Sequence, residues 1–281
     1  MKIISGPASQ ILASRLSEEL GCKLALVEYR QFPDGEVYTR IIDDIESDDV
    51  IIIQSTTTNN DIVYLLQLID ACENAKRINV VIPYFGYARQ DKRFKSGEAI
   101  SSRVISKTIQ ADQIYTINIH DERIFDYFSS KCSNLDASKL ILAYIKSLNL
   151  LDPLIISPDG GSSSFARSVA SDCFRYDVLE KKRSGPEDVE TTYKKLDVLD
   201  KDVVIVDDII STGETIKKAT EMLKNQNARF VFAACVHPVF VGNAILKLSR
   251  AGVSGIFATD TIEHSLSCIS VAPIIADEFR R

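Results

Sequence analysis

Short β-branched runs alternate with amphipathic stretches along nearly the whole chain. Residues 2–4, 23–29, 37–42, 50–53, 78–82 and 113–119 read as strands. Between them, residues 8–20 place Ile11, Leu12 and Leu16 at helical period, and a helix from Asp61 carries Ile62, Leu65, Leu66, Ile69 and Cys72 as an apolar stripe. Residues 100–109, 124–128 and 138–148 read as further helices. The rhythm then repeats, with strands at 154–157, 175–179, 203–206, 229–236, 254–258 and 268–271. Helical patterns follow at 216–223 and 241–248, and Pro273 suits the first turn of a last helix. Strands alternating with helices predict parallel sheets covered by helices. The pattern divides into two α/β halves, residues 1–140 and 141–271, with the terminal helix at about 272–281 packing back on the first.

Bulk composition narrows the class. A chain of 281 residues can bury a substantial core, and 45% hydrophobic with 26% charged residues is the balance of a soluble globular protein. The formal charge of −6 argues against wholesale nucleic-acid binding. An anionic substrate therefore needs local basic groups and Mg²⁺ rather than a general attraction. The six cysteines, Cys22, Cys72, Cys132, Cys173, Cys235 and Cys268, are scattered without metal-ligand spacing and fit reduced thiols. No signal-peptide pattern opens the chain and no apolar stretch reaches membrane-spanning length, so a cytoplasmic protein is expected.

The most informative stretch is VVIVDDIISTGETIKKATEML, residues 203–223. A buried-type strand leads to Asp207 and Asp208 where it would emerge, and then to Ser211, Thr212, Gly213 and Thr215 ahead of a helix. A strand, tight turn and helix start gather unpaired N–H groups and the positive helix end around one point, which makes a phosphate cradle. Gly213 admits close approach of an anion, and the hydroxyls add donors. Asp207 and Asp208 would repel a phosphate, so they suit the vicinal hydroxyls of a ribose. The plain alternative is a strand–turn–helix joint with an incidental acidic pair.

Other chemistry lies where strands of a parallel sheet would end, the place where such sheets bind ligands. In PYFGYARQDKR, Arg89 and Gln90 supply a planar cation and an amide for a nucleotide's phosphates and base, with Tyr84, Phe85 and Tyr87 stacking or packing beneath. In EKKR, Lys181 and Arg183 fall on one side of an extended chain ahead of a very polar segment, 184–202, that could close over a substrate. A solvated charge run explains the same residues. His120 and Asp159, the latter in PDGG, stand at two further strand ends.

The 203–223 stretch resembles the ribose-5-phosphate loop shared by phosphoribosyltransferases and ribose-phosphate diphosphokinases. FPDGE (residues 32–36) and PYFGYARQDKR together resemble the ATP-binding elements of the diphosphokinases, with EKKR a near match to that family's basic motif. The resemblance implies two phosphoribosyltransferase-like domains, an ATP-side domain first and a ribose-5-phosphate domain second. It implies transfer of the β,γ-diphosphoryl group of ATP to O1 of D-ribose 5-phosphate, releasing AMP. Phe32 would then lie near adenine, with Asp34 and Glu36 accepting from its amino group, all three reaching the ATP of a neighbouring subunit. An active site so shared requires at least a homodimer. Lys181 and Arg183 would stabilise the transition state, His120 would approach the ATP phosphates and their Mg²⁺, and Asp159 would bind a second Mg²⁺.

Two departures from the family pattern mark an archaeal-type branch. Around His120, Asn118 stands where an Asp is usual and Asp121, Glu122 and Arg123 follow, and the Gly-rich run after Asp159 becomes Gly160-Gly161-Ser162-Ser163-Ser164. A phosphoribosyltransferase accounts for residues 207–215 but leaves FPDGE and PYFGYARQDKR without a purpose. A non-catalytic regulatory homologue is opposed by the intact Lys181, Arg183, His120 and Asp159.

Overall fold

The β-branched runs become the centres of two parallel sheets. The computed structural model describes residues 1–179, 181–182, 192–193 and 196–280. In its first part lie β1 (Lys2–Ser5), α1 (Gln10–Leu20), β2 (Lys23–Ala25), β3 (Val27–Gln31), β4 (Val37–Ile41) and β5 (Asp49–Ile53). These are followed by α2 (Asn59–Asp70), β6 (Arg77–Ile82), α3 (Ser101–Ser106), β7 (Gln113–Ile117) and β8 (Lys131–Leu135). Next come α4 (Ser138–Ser147), β9 (Leu154–Ser157), α5 (Ser163–Ala170), β10 (Arg175–Val178), β11 (Lys181–Lys182) and β12 (Thr192–Tyr193). The chain finishes with β13 (Asp202–Ile210), α6 (Glu214–Asn225), β14 (Phe230–Pro238), α7 (Ala244–Arg250), β15 (Gly255–Thr259), β16 (Ser267–Ile269) and α8 (Ala272–Phe279).

Two compact units result. The first is Met1–Asp136 together with Asp260–Glu263 and the stretch from Ser270; the second is Ala137–Thr259 with His264–Ile269. In the first unit the parallel sheet runs β2-β1-β5-β6-β7-β8. Ile4, Ile52, Val80 and Ile114 share a face with Leu65 and Leu68 of α2 and are buried there. Tyr115 meets Phe279 of α8 with ring centres 5.2 Å apart, and α8 packs on α1. Residues 260–263 close the start of α1. The Glu263 carboxylate accepts from the Ile11 and Leu12 N–H groups at 2.5 and 3.0 Å, and buried Asp260 pairs with Arg15 at 2.5 Å. The Glu263 carboxylate sits at the positive end of the helix, where negative charge is most favourable.

The expected strand at 23–29 is corrected, because the chain leaves the sheet at Leu26. Its N–H goes to the Asp43 carboxylate at 2.7 Å and its side chain is 64% exposed. Beyond it, β3 pairs antiparallel with β4 as a separate hairpin. The helix expected at 124–128 is a 3₁₀ helix, Glu122–Tyr127, capped by Asp121. Edge strand β8, sequence KCSNL, lacks the β-branched run that reveals central strands.

In the second unit the parallel order is β10-β9-β13-β14-β15-β16. Ile156, Ile205, Ala233 and Ala258 pack against Ile216, Ala219 and Leu223 of α6. Helix α5, hidden in the Gly- and Ser-rich PDGGSSSFARS, buries Ala166, Val169 and Ala170. Asp207 and Asp208 do not follow the strand as expected; they lie within β13, which continues to Ile210. It continues because β14 stays paired with it as far as Pro238, whereas β9 pairs only with Val203–Ile205. The acid pair therefore occupies the part of β13 that has outrun β9. Among the described residues, no helix is long and apolar enough to cross a membrane.

Candidate functional site

In the second unit, the end of β13 and the start of α6 form the turn expected to cradle a phosphate. Gly213 has φ of +72° at the N-cap position, and no side chain caps α6. A Cβ there would also meet the Leu248 side chain at 3.3 Å and the Ala244 carbonyl at 3.4 Å, so backbone geometry and space both favour glycine. The uncapped first turn offers N–H donors beside Ser211, Thr212 and Thr215. The turn is braced from the neighbouring segment, where Phe240 N–H donates to the Ile210 carbonyl at 3.0 Å and Val241 N–H to that of Ser211 at 3.1 Å. Phe240 adopts a φ of +38°, a strained value for an aromatic residue. This brace went unread in the sequence; its trace there is Pro238 ending β14 just before VFVGN.

Just ahead of the cradle, the Asp207 carboxyl is pushed up to about 8, first by burial, then by the charge of Asp208 and a hydrogen bond with it, and further by Asp159. Asp159 follows β9. One of its oxygens, Oδ1, accepts from the Gly161 N–H at 2.9 Å and the Ser162 N–H at 3.3 Å. The turn thereby fixes one oxygen of this exposed carboxylate. The structure brings Asp159, Asp207 and Asp208 into mutual repulsion, a situation a cation relieves. The described residues hold no group of three or more His, Cys, Asp or Glu side chains arranged to hold a metal ion. Lys181 lies in β11, whose backbone pairs with Tyr193 of β12. Arg183 lies outside the described residues.

In the first unit, the run after β6 is held close to residues 55–56. Thr56 N–H donates to the Tyr84 carbonyl at 2.9 Å, and Gly86 N–H to the Thr56 hydroxyl at 2.8 Å. A Cβ on Gly86 would fall 2.1 Å from the Thr56 carbonyl oxygen. Phe85 is core, packed on Phe128, whereas Tyr87 is 43% exposed with φ of +62°. Its hydroxyl donates to Asn59 Oδ1 at 2.6 Å. Tyr87 lines an apolar pocket of about 300 Å³ with Ile62, Val104 and Ile105. Arg89 is exposed and in no ion pair among the described residues. The Gln90 carbonyl oxygen Oε1 is occupied by the Ser101 hydroxyl, so its amide NH₂ is the group left for a ligand.

His120 is exposed just beyond β7. Around it, Asn118 donates to Asp136 at 3.1 Å and Asn134 to Glu122 at 2.9 Å. Phe32, Asp34 and Glu36 form the exposed tip of the β3–β4 hairpin. Two hydrogen bonds shape this tip, from Gly35 N–H to the Phe32 carbonyl at 2.9 Å and from Phe32 N–H to that of Glu36 at 2.8 Å.

Comparison with known proteins places these features in a family. A family model described as the N-terminal domain of ribose phosphate pyrophosphokinase matches residues 1–112, and a phosphoribosyl transferase domain model matches residues 131–266. The chain is 52% identical to a ribose-phosphate pyrophosphokinase of Methanosarcina acetivorans, with all of both chains covered. It is 43% identical to that of Methanothermobacter thermautotrophicus, covering 98% of each. The crystal structure of phosphoribosylpyrophosphate synthetase from Mycobacterium smegmatis superimposes with a TM-score of 0.86 at 27% identity, over 99% of this chain and 97% of that one.

Proposed function

The chain belongs to the ribose-phosphate pyrophosphokinase family, and on that footing we propose that it converts ATP and D-ribose 5-phosphate into AMP and 5-phospho-α-D-ribose 1-diphosphate. The observation that carries this reading is the uncapped start of α6 directly beyond two carboxylates with no cation paired to Asp207 among the described residues. That arrangement separates two tasks on one sugar phosphate. Backbone N–H groups and the hydroxyls of Ser211, Thr212 and Thr215 hold the 5-phosphate, and Asp207 and Asp208 accept from ribose hydroxyls.

The anomeric O1 then loses its proton and forms a bond to the β-phosphorus of ATP. The bond from that phosphorus to the bridging oxygen breaks in line, and AMP leaves with the electron pair. Covalent work by the protein is small, so positioning and charge neutralisation carry the rate. Lys181 and Arg183 neutralise charge that develops on the transferred group. Arg89 and Gln90 bind the nucleotide, and His120 approaches its phosphates. Phe32, Asp34 and Glu36 of a second copy complete that pocket, which makes the working unit a homodimer or larger. An exposed hairpin tip, built on a two-stranded ribbon separate from the main sheet, suits this role.

His120 would lie near one Mg²⁺ and the Asp159 carboxylate would hold a second, an ion that commonly completes its shell with phosphate oxygens and water. When bound, it neutralises phosphate charge and orients the β-phosphoryl group. Substrates of this kind place the protein in the cytoplasm.

Incubation with ATP, Mg²⁺ and ribose 5-phosphate, read by chromatography, tests the proposal. AMP and a diphosphorylated sugar should form together, each dependent on the sugar phosphate. Consumption of 5-phosphoribosyl diphosphate with a nucleobase, and no AMP release, would show a phosphoribosyltransferase instead.

A further inference from the structure

The nucleotide half of the first unit is built from two separate segments, and one exposed side chain ties them together. Residues 84–91 leave the sheet after β6, and His120 with Asp121 follows β7. Arg123 grips both. Its Nε donates to Asp121 Oδ1 and Oδ2 at 2.9 and 3.0 Å, its Nη2 also donates to Asp121, and Nη2 reaches Asp91 Oδ2 at 3.4 Å. The Asp121 carboxylate additionally accepts from the Arg123 backbone N–H at 2.9 Å, so side chain and backbone of one residue fix the same acid. A second tether from this 3₁₀ helix lands on the same target, since the Tyr127 hydroxyl donates to the Asp91 carbonyl at 3.1 Å.

Asp91 is therefore held at its carbonyl and its carboxylate by residues four apart on Glu122–Tyr127. Its side chain is only 12% exposed, whereas that of Arg123 is 69% exposed. A guanidinium so open to solvent contributes little packing, and its geometry is spent on joining the two segments.

Resting on the nucleotide assignment above, we infer that Arg123 is a positioning residue of the ATP half-site: by tying Asp91 to Asp121 it sets the spacing between Arg89–Gln90 and His120. An exposed pair of this kind adds little to global stability. Its loss should therefore register in nucleotide affinity rather than in folding.

The test compares Arg123→Ala, Arg123→Lys, Asp91→Asn, the double variant R123A/D91N, and Arg89→Ala by steady-state kinetics and thermal unfolding. Arg123→Ala should raise KM for ATP about three- to tenfold, with kcat and KM for ribose 5-phosphate within about twofold and Tm essentially unchanged. Arg123→Lys should recover part of the loss, and the double variant should be no worse than the poorer single one. If Arg89→Ala raises KM for ATP but Arg123→Ala does not, the inference falls and the nucleotide assignment stands. If neither does, both fall. A variant R123A that unfolds several degrees earlier also overturns it, because the residue would then be structural, and so does one that loses kcat with KM for ATP intact, because the residue would then serve the chemical step rather than nucleotide binding.

Discussion

Asp207→Asn in the ligand-free protein should become progressively more stabilising as pH rises. Asp207 keeps its proton in the folded state up to about pH 8, because burial and the neighbouring Asp208 and Asp159 disfavour its charge. In the unfolded chain the same carboxyl ionises near pH 4. The folded state thus binds the proton more tightly, and stability from this group is complete below pH 4 and lost between about pH 4 and pH 8. At about 1.4 kcal/mol per tenfold change in proton affinity, the upper bound on the loss is about 5 kcal/mol. Three acids share the repulsion, and an asparagine amide must still find partners. About 2 kcal/mol is therefore a reasonable swing between pH 5 and pH 9, or about 4–8 °C in Tm. Paired thermal melts of wild type and variant at the two pH values measure it directly. Equal differences in Tm at pH 5 and pH 9 would show that Asp207 is not held protonated, and the reasoning would fail.

Gly213→Ala should cost about 1–2 kcal/mol of stability for the left-handed backbone alone, and should raise KM for ribose 5-phosphate more than KM for ATP. Steady-state kinetics with each substrate varied in turn would show it. Lys181→Ala should lower kcat by orders of magnitude while leaving ribose 5-phosphate binding nearly intact by calorimetry. An unchanged kcat would remove Lys181 from the transition state.

The parallel sheets were legible because their central strands carry a signal few other segments share. Val50 to Ile53 and Val203 to Val206 are all fully buried, and only a strand covered on both sides needs such runs. Edge elements escaped for the complementary reason. Strand β8 pairs on one side only, and its Lys131, Ser133 and Asn134 read as loop. Helix α5 escaped because Gly160, Gly161 and three serines from Ser162 give it weak propensity, and tertiary burial of Ala166 and Val169 overrides that. Leu26 misled for another reason. Hydrophobicity marked it as mid-strand, but a side-chain carboxylate from Asp43 takes its N–H and lets the chain turn out of the sheet. The 207–215 stretch showed its strand–turn–helix order in the sequence even though β13 runs four residues longer than its apolar run.

That extension of β13 carries two carboxylates toward the uncapped start of α6, the anion site proposed above. A lysine fixed next to Asp207 would pair with it, lower its proton affinity and occupy the oxygens that ribose hydroxyls need. Lys217 and Lys247 near this turn each pair with Glu214 at 3.9 Å, and Lys247 also donates to the Thr212 carbonyl at 3.5 Å. On the proposed reading the phosphate is left to neutral donors, the first-turn N–H groups and hydroxyls, which do not collapse onto the acids. Repulsion of Asp207 by Asp208 and Asp159 is then the stability cost of gathering these acids. On the proposed mechanism the positive charge for diphosphoryl transfer therefore comes from elsewhere in the chain, and the residue proposed for it is Lys181 of β11, outside the strand that carries the acids.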